Sequence, residues 1–103
     1  MAAVALKVSY DFSNDTDMGV IYIGDNHATE NGKGSVTLQI EGGRSYIVVL
    51  VVYGTWGAKG AIKIEKDGAP IKIKQHGGGL VDSLVCTVNN VSDVDHETGE
   101  ISL

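Results

Sequence analysis

With a single cysteine, Cys86, the chain has no intramolecular disulfide to hold it together, and a reducing compartment fits better than an oxidised extracellular scaffold. Proline is nearly absent too. Pro70 stands alone against 14 glycines, which suits strands joined by short, tight turns. Long apolar runs are lacking: the longest, Tyr46 to Tyr53, is far short of a membrane-spanning helix, so a soluble chain with no membrane partner is expected. Ahead of it, Met1 to Lys7 shows no basic segment followed by an apolar core of signal length, and no export signal is read there. Positive charge is scarce, with 8 Lys and Arg against 13 Asp and Glu and a net charge of -5, which argues against nucleic acid as a general partner. Helical periodicity is missing throughout, as is any repeat of solenoid or propeller length.

What is present is enough for one folded domain, 1–103, since 43% apolar and 20% charged residues lie well away from the composition of disordered chains. The charges are unevenly spread. Lys59, Lys63, Lys66, Lys72 and Lys74 fall close together, whereas Asp11 to Glu30 holds acids and no Lys or Arg, and lysine-rich strands of this kind usually protect sheet edges.

The most informative stretch is Arg44 to Tyr53, whose β-branched and aromatic residues favour a strand without any apolar/polar alternation. A strand apolar on both sides needs both sides covered, by a second sheet, a loop or another protein chain. Around it, Val4, Leu6, Val8, Tyr10 and Phe12 alternate with polar or small residues as a first strand, and Val20 to Ile23 forms a short second one. Asp25 to Gly34 reads as a long loop. Val36, Leu38 and Ile40 belong to the next strand, which Gly42-Gly43 joins to the apolar strand as a hairpin.

Asp67-Gly68 between two alternating segments predicts a two-residue type I′ hairpin. That register pairs Ile64 with Ile71 and Ile62 with Ile73, sets Lys63 against Lys72, and places Pro70 opposite Glu65 at a sheet edge. Val81 to Val88 is a further strand with Leu84, Cys86 and Val88 inward, and Ser92 to Glu100 reads as a polar tail. Seven or eight short antiparallel strands make an all-β, two-sheet antiparallel β-sandwich of the jelly-roll or immunoglobulin-like kind, with a small barrel as the alternative.

No reaction is identified by motif. Cys86 has His27, His76 and His96 as candidate partners for a thiolate, but its alternation with Leu84 and Val88 marks a buried, inert residue. Serine nucleophile elbows are absent, and no catalytic set or cofactor is assigned. For metals, Asp93, Asp95 and Glu97, or Asn14, Asp15 and Asp17, offer oxygen ligands without the calcium-loop pattern. His76 and His96 with Asp95 lack zinc spacing, so no metal site is assigned.

Two functional readings follow. The first is a non-catalytic, lectin-like binding module in which Trp56 and Tyr53, flanked by Asn26, His27 and Asn31 from the long loop, hold a glycan. Against it, a tryptophan among glycines often caps the end of a core. The alternative is a structural or assembly subunit, homo-oligomeric or of virion type, whose doubly apolar strand contacts a protein partner.

Overall fold

The computed structural model describes residues Ala3–Leu103, and every regular element among them is a strand. In chain order these are β1 (Ala3–Phe12), β2 (Thr16–Ile23), β3 (Asn26–Glu30), β4 (Lys33–Glu41), β5 (Ser45–Gly54), β6 (Lys59–Lys66), β7 (Ala69–Ile71), β8 (Ile73–Gln75), β9 (Leu80–Val81), β10 (Leu84–Thr87) and β11 (Val94–Ser102). They form two antiparallel sheets. Sheet A has the order β10-β6-β1-β4, with β7 beside the far half of β6, and sheet B the order β3-β2-β5-β11-β8-β9. The two-sheet sandwich is therefore the architecture, built from eleven strands instead of seven or eight, and the barrel alternative is set aside.

The core follows from period-two alternation meeting across the sheets. Sheet A contributes Leu6, Val8, Phe12, Ile40, Ile62, Ile64, Leu84 and Cys86, and sheet B answers with Ile21, Ile23, Val48, Leu50, Val52, Ile73 and Ile101. Two glycines make room for the one phenylalanine. A Cβ on Gly19 of sheet B would lie 2.0 Å from the Phe12 ring, and one on Gly60 of sheet A 2.6 Å from it.

The Asp67-Gly68 hairpin forms as its sequence predicts: both residues have positive φ, 53° and 78°, as a type I′ turn needs, and Ile64 pairs with Ile71 and Glu65 with Pro70. The pairing then stops. Lys72 carries the chain from sheet A to sheet B, so Ile73 joins the opposite wall of the core and the expected Lys63–Lys72 apposition does not arise. Lys63 sits across from Ser9 instead, and Lys72 forms an ion pair with Asp82 that holds the Asp82 carboxyl below its usual range.

Three other expectations are corrected. β4 and β5 are not a hairpin, because a core needs two walls: Gly42-Gly43 takes the chain from sheet A, where β4 pairs with β1, to sheet B, where β5 lies between β2 and β11. Residues 25–34 are not a long loop but a tight turn, the strand β3 and a second turn at Asn31-Gly32. β3 carries Ala28 as its only apolar residue, so an edge strand there had no alternation to betray it. The polar tail is likewise a nine-residue strand, β11, paired with β5 along its length. Its register puts Asp95, Glu97 and Gly99 on the inward side, and only Ile101 is a conventional core residue.

β5 is covered on one side only. Val48, Leu50 and Val52 have no exposed surface, whereas the alternate residues Ile47, Val49, Val51 and Tyr53 look outward from sheet B. On that outer side Val49 and Val51 are half-buried and Ile47 and Tyr53 exposed, so of the covers the sequence asks for the facing sheet supplies the inner one.

Candidate functional site

Four connections gather at one end of the sandwich: 13–15 between β1 and β2, Asn31-Gly32, 55–58 between β5 and β6, and 88–93 between β10 and β11. They are tied together by backbone bonds. Gly54 N donates to Asp93 O at 2.9 Å, Gly57 N to Val88 O at 2.8 Å and Val88 N to Ala58 O at 2.8 Å, while Ser13 N donates to Lys59 O at 2.8 Å. The Ser13 hydroxyl oxygen in turn accepts from Lys59 N at 2.8 Å. Within this lattice Ala58 N bonds to Thr55 O at 2.9 Å, closing a turn with Gly57 at φ 93°, where a glycine suits the left-handed conformation.

That turn decides where the tryptophan goes. Ala58 plugs the end of the core at zero exposure, so Trp56 does not cap it and remains 65% exposed at the apex of the turn. Tyr53 lies on the outer face of sheet B near the same end, 39% exposed and paired with Met18 and Val94. Asn31 is at this end as well, but its side chain is occupied: the amide donates to the carbonyls of Thr16 and Asp17, each at 3.1 Å, and its oxygen accepts from Gly32 N at 2.8 Å.

Asn26 and His27 are elsewhere. Both belong to β3, with Asn26 paired to Ile23 and His27 to Tyr22, at the level of Val48 and Val49 of β5. Tyr53 is four residues beyond Val49 and five beyond Val48 on β5, about 13 and 17 Å at roughly 3.3 Å per residue, so the structure brings Trp56, Tyr53 and Asn31 to one end and leaves Asn26 and His27 near the other. His27 packs against Tyr22 with ring centroids 5.8 Å apart.

The outer face of sheet B makes the larger surface. Register places Met18, Val20 and Tyr22 of β2 beside Tyr53, Val51 and Val49 of β5, and on the other flank Val94, His96, Thr98 and Glu100 of β11 beside Tyr53, Val51, Val49 and Ile47. Met18, Tyr22, Ile47 and Tyr53 are all exposed large apolar residues. The outward half of this surface was legible in the unbroken apolar run of β5; the contribution of β2 was not, since Met18 precedes the residues that look like a strand.

The outer face of sheet A is different in kind. Its trough, about 520 Å³, is floored by small residues such as Ser9, Ser35, Ala61 and Ser83 and bordered by Lys7, Lys33 and Lys63. Lys7 lies 4.0 Å from Glu65, and Lys33 pairs across strands with Asp11. Of these lysines Lys7 alone has a carboxylate within salt-bridge distance among the described residues, in keeping with a solvated lysine-bearing surface.

The remaining candidates separate. Cys86 is buried; burial pushes its thiol up to about 12, and the Asp95 and Glu97 carboxylates add to the rise. It is therefore a thiol at neutral pH and no nucleophile. Linkage gives a test. The raised folded value means that Cys86 favours the folded state fully below the unfolded value, 9.0, and loses that contribution as pH rises toward 12. Chemical denaturation should show a fall in stability across that window that is smaller in Cys86→Ala; equal falls would remove Cys86 as its source. Among the described residues no three His, Cys, Asp or Glu side chains gather in a way that could hold a metal ion. Comparison with protein-family models, with curated proteins and with solved structures gives no match.

Proposed function

We propose that the chain is a non-catalytic assembly subunit that buries the outer face of sheet B against a second copy of itself. The observation that carries this reading is the outward row Ile47, Val49, Val51 and Tyr53 on the central strand of the sheet, apolar throughout, with Ile47 and Tyr53 exposed and Val49 and Val51 half-buried in the single chain. Of the three covers such a strand can have, the second sheet takes the inner face and no loop takes the outer one, which leaves a protein. Contiguous apolar patches of this kind are characteristic of protein contacts. A copy of the same face is a suitable partner because apolar surface is complementary to itself under two-fold symmetry.

Light scattering or sedimentation at tens to hundreds of micromolar should show the association. Val51→Lys places an unpaired ammonium at the centre of the contact and should weaken it on the order of a hundredfold or more. A wild-type chain that stays monomeric throughout, or an assembly indifferent to Val51→Lys, would remove the reading.

Trp56 favours a second reading, a glycan-binding module. A tryptophan held at the apex of a bonded turn offers a rigid aromatic plate to a sugar ring without ordering a loop on binding. On a glycan array, Trp56→Ala should abolish binding and leave the circular dichroism spectrum unchanged. Binding that survives the substitution takes Trp56 out of the site.

A further inference from the structure

A second surface goes beyond the face of sheet B. Five strands or part-strands stand at sheet margins, and four of them are short or blunted: β3 has five residues, β9 two, β10 four, and β7 three with Pro70 among them. β4 is the exception. It ends sheet A with nine residues in unbroken register with β1, and has neither proline nor bulge. Its core-facing Val36 and Leu38 are only half-buried. Exposed edges that are long and flat recruit another strand unless something blocks them.

The direction of the free groups can be read from two bonds. Phe12 N donates to Gly32 O at 2.8 Å, so position 32 faces β1, and with it the even-numbered residues of β4. Ser13 N, donating to Lys59 O, confirms that the odd positions of β1 turn the other way, toward β6. The odd positions of β4 therefore point their N–H and C=O groups out from the edge: Lys33, Ser35, Thr37, Gln39 and Glu41. Only the Glu41 carbonyl already has a partner there, the Tyr46 hydroxyl at 2.7 Å.

We infer that β4 pairs antiparallel with β4 of a second copy about a two-fold axis through Thr37. This register makes Lys33 face the partner's Glu41 at both ends, Ser35 face Gln39, and Thr37 face itself. Every one of these is a position whose backbone groups are directed outward, so the pairs are the hydrogen-bonded kind. On the inward side Val36 meets Leu38 of the other copy, and the half-covered margin of each core gains a neighbour. Charge complementarity selects the second copy as the occupant. Among the described residues Lys33 forms no ion pair, even with Asp11 opposite it on β1, and Glu41 holds only an exposed Arg44 at 3.6 Å.

Amide hydrogen exchange reads the pairing directly. Raising the protein concentration should slow exchange at Ser35, Thr37 and Gln39 by tenfold or more while the even-numbered amides, already bonded to β1, change little. Thr37→Pro removes an outward N–H and no bond to β1, so it should abolish the pairing with the melting temperature nearly unchanged. Lys33→Glu should weaken it roughly tenfold, and Lys33→Glu with Glu41→Lys should restore it. Concentration-independent exchange at the three odd positions, or a Thr37→Pro protein of undiminished mass, overturns the inference.

The face and edge contacts fail separately. If both hold, the native chain is larger than a dimer, Val51→Lys and Thr37→Pro each reduce it to a dimer, and the double variant is a monomer. A dimer that only Thr37→Pro dissolves keeps the edge contact and removes the face contact.

Discussion

Phe12→Ala should lower the unfolding free energy by about 3–5 kcal/mol, the range for emptying a buried aromatic site. In a domain of this size that corresponds to a fall in melting temperature on the order of 15 °C or more. The site cannot collapse to soften the loss. The Phe12 ring occupies space left by two glycines, one in each sheet, and neither Gly19 nor Gly60 has a side chain that can move into the void. Differential scanning calorimetry measures the effect, and a loss below about 1 kcal/mol would mean that the sheets close over the gap.

The converse substitution tests the same contact from the other side. Gly19→Ala drives a methyl group to within 2.0 Å of a ring that is itself buried against Gly60, so the ring or the strand must shift. Overpacking of this kind costs about 1–3 kcal/mol and sometimes more. Shrinking the ring should return part of the loss. In a double-mutant cycle, Gly19→Ala with Phe12→Leu should be less destabilised than the two single variants added together, by about 0.5–3 kcal/mol. Simple additivity would show that the alanine is accommodated without touching position 12.

Much of the architecture was legible from residues taken in order. Alternation along Val4 to Phe12 and Val36 to Ile40 located two strands and their inward faces, and Asp67-Gly68 located a hairpin to the residue. Legibility failed where the inward side of a strand is not apolar. β3 offers Ala28 alone, and β11 turns Asp95, Glu97 and Gly99 inward at the margin of the core, so neither has a period to find. Both owe their existence to a neighbour, β2 and β5 respectively, whose backbone groups they complete. Partner choice was the other gap. Nothing local distinguishes a strand that turns back beside its predecessor from one that crosses to the facing sheet, which is how β4 and β5 came to be read as a hairpin.

The candidate site was legible in part. Sequence pointed to Trp56 and Tyr53 as loop-end aromatics, and both are exposed at one end. It could not show that Asn31 spends its amide on the Thr16 and Asp17 carbonyls, nor that His27 and Asn26 lie about 13 and 17 Å away along the sheet. Those facts belong to the pairing of β2 with β3. The apolar run of β5 was legible for its inner side, where the facing sheet covers Val48, Leu50 and Val52; the outer side, with Val49 and Val51 half-buried, has no such sheet over it.

The crossing at Lys72 bears on how far copies can join. Because β7 and β8 are separated by that one residue, the chain folds around the flank opposite β4, and Pro70 denies that flank a regular donor row. Sheet A thus keeps one long open margin, β4. In the proposed pairing, lateral growth of sheet A would end once two molecules have met, because that sheet has no second long margin from which a fibre of stacked strands could continue.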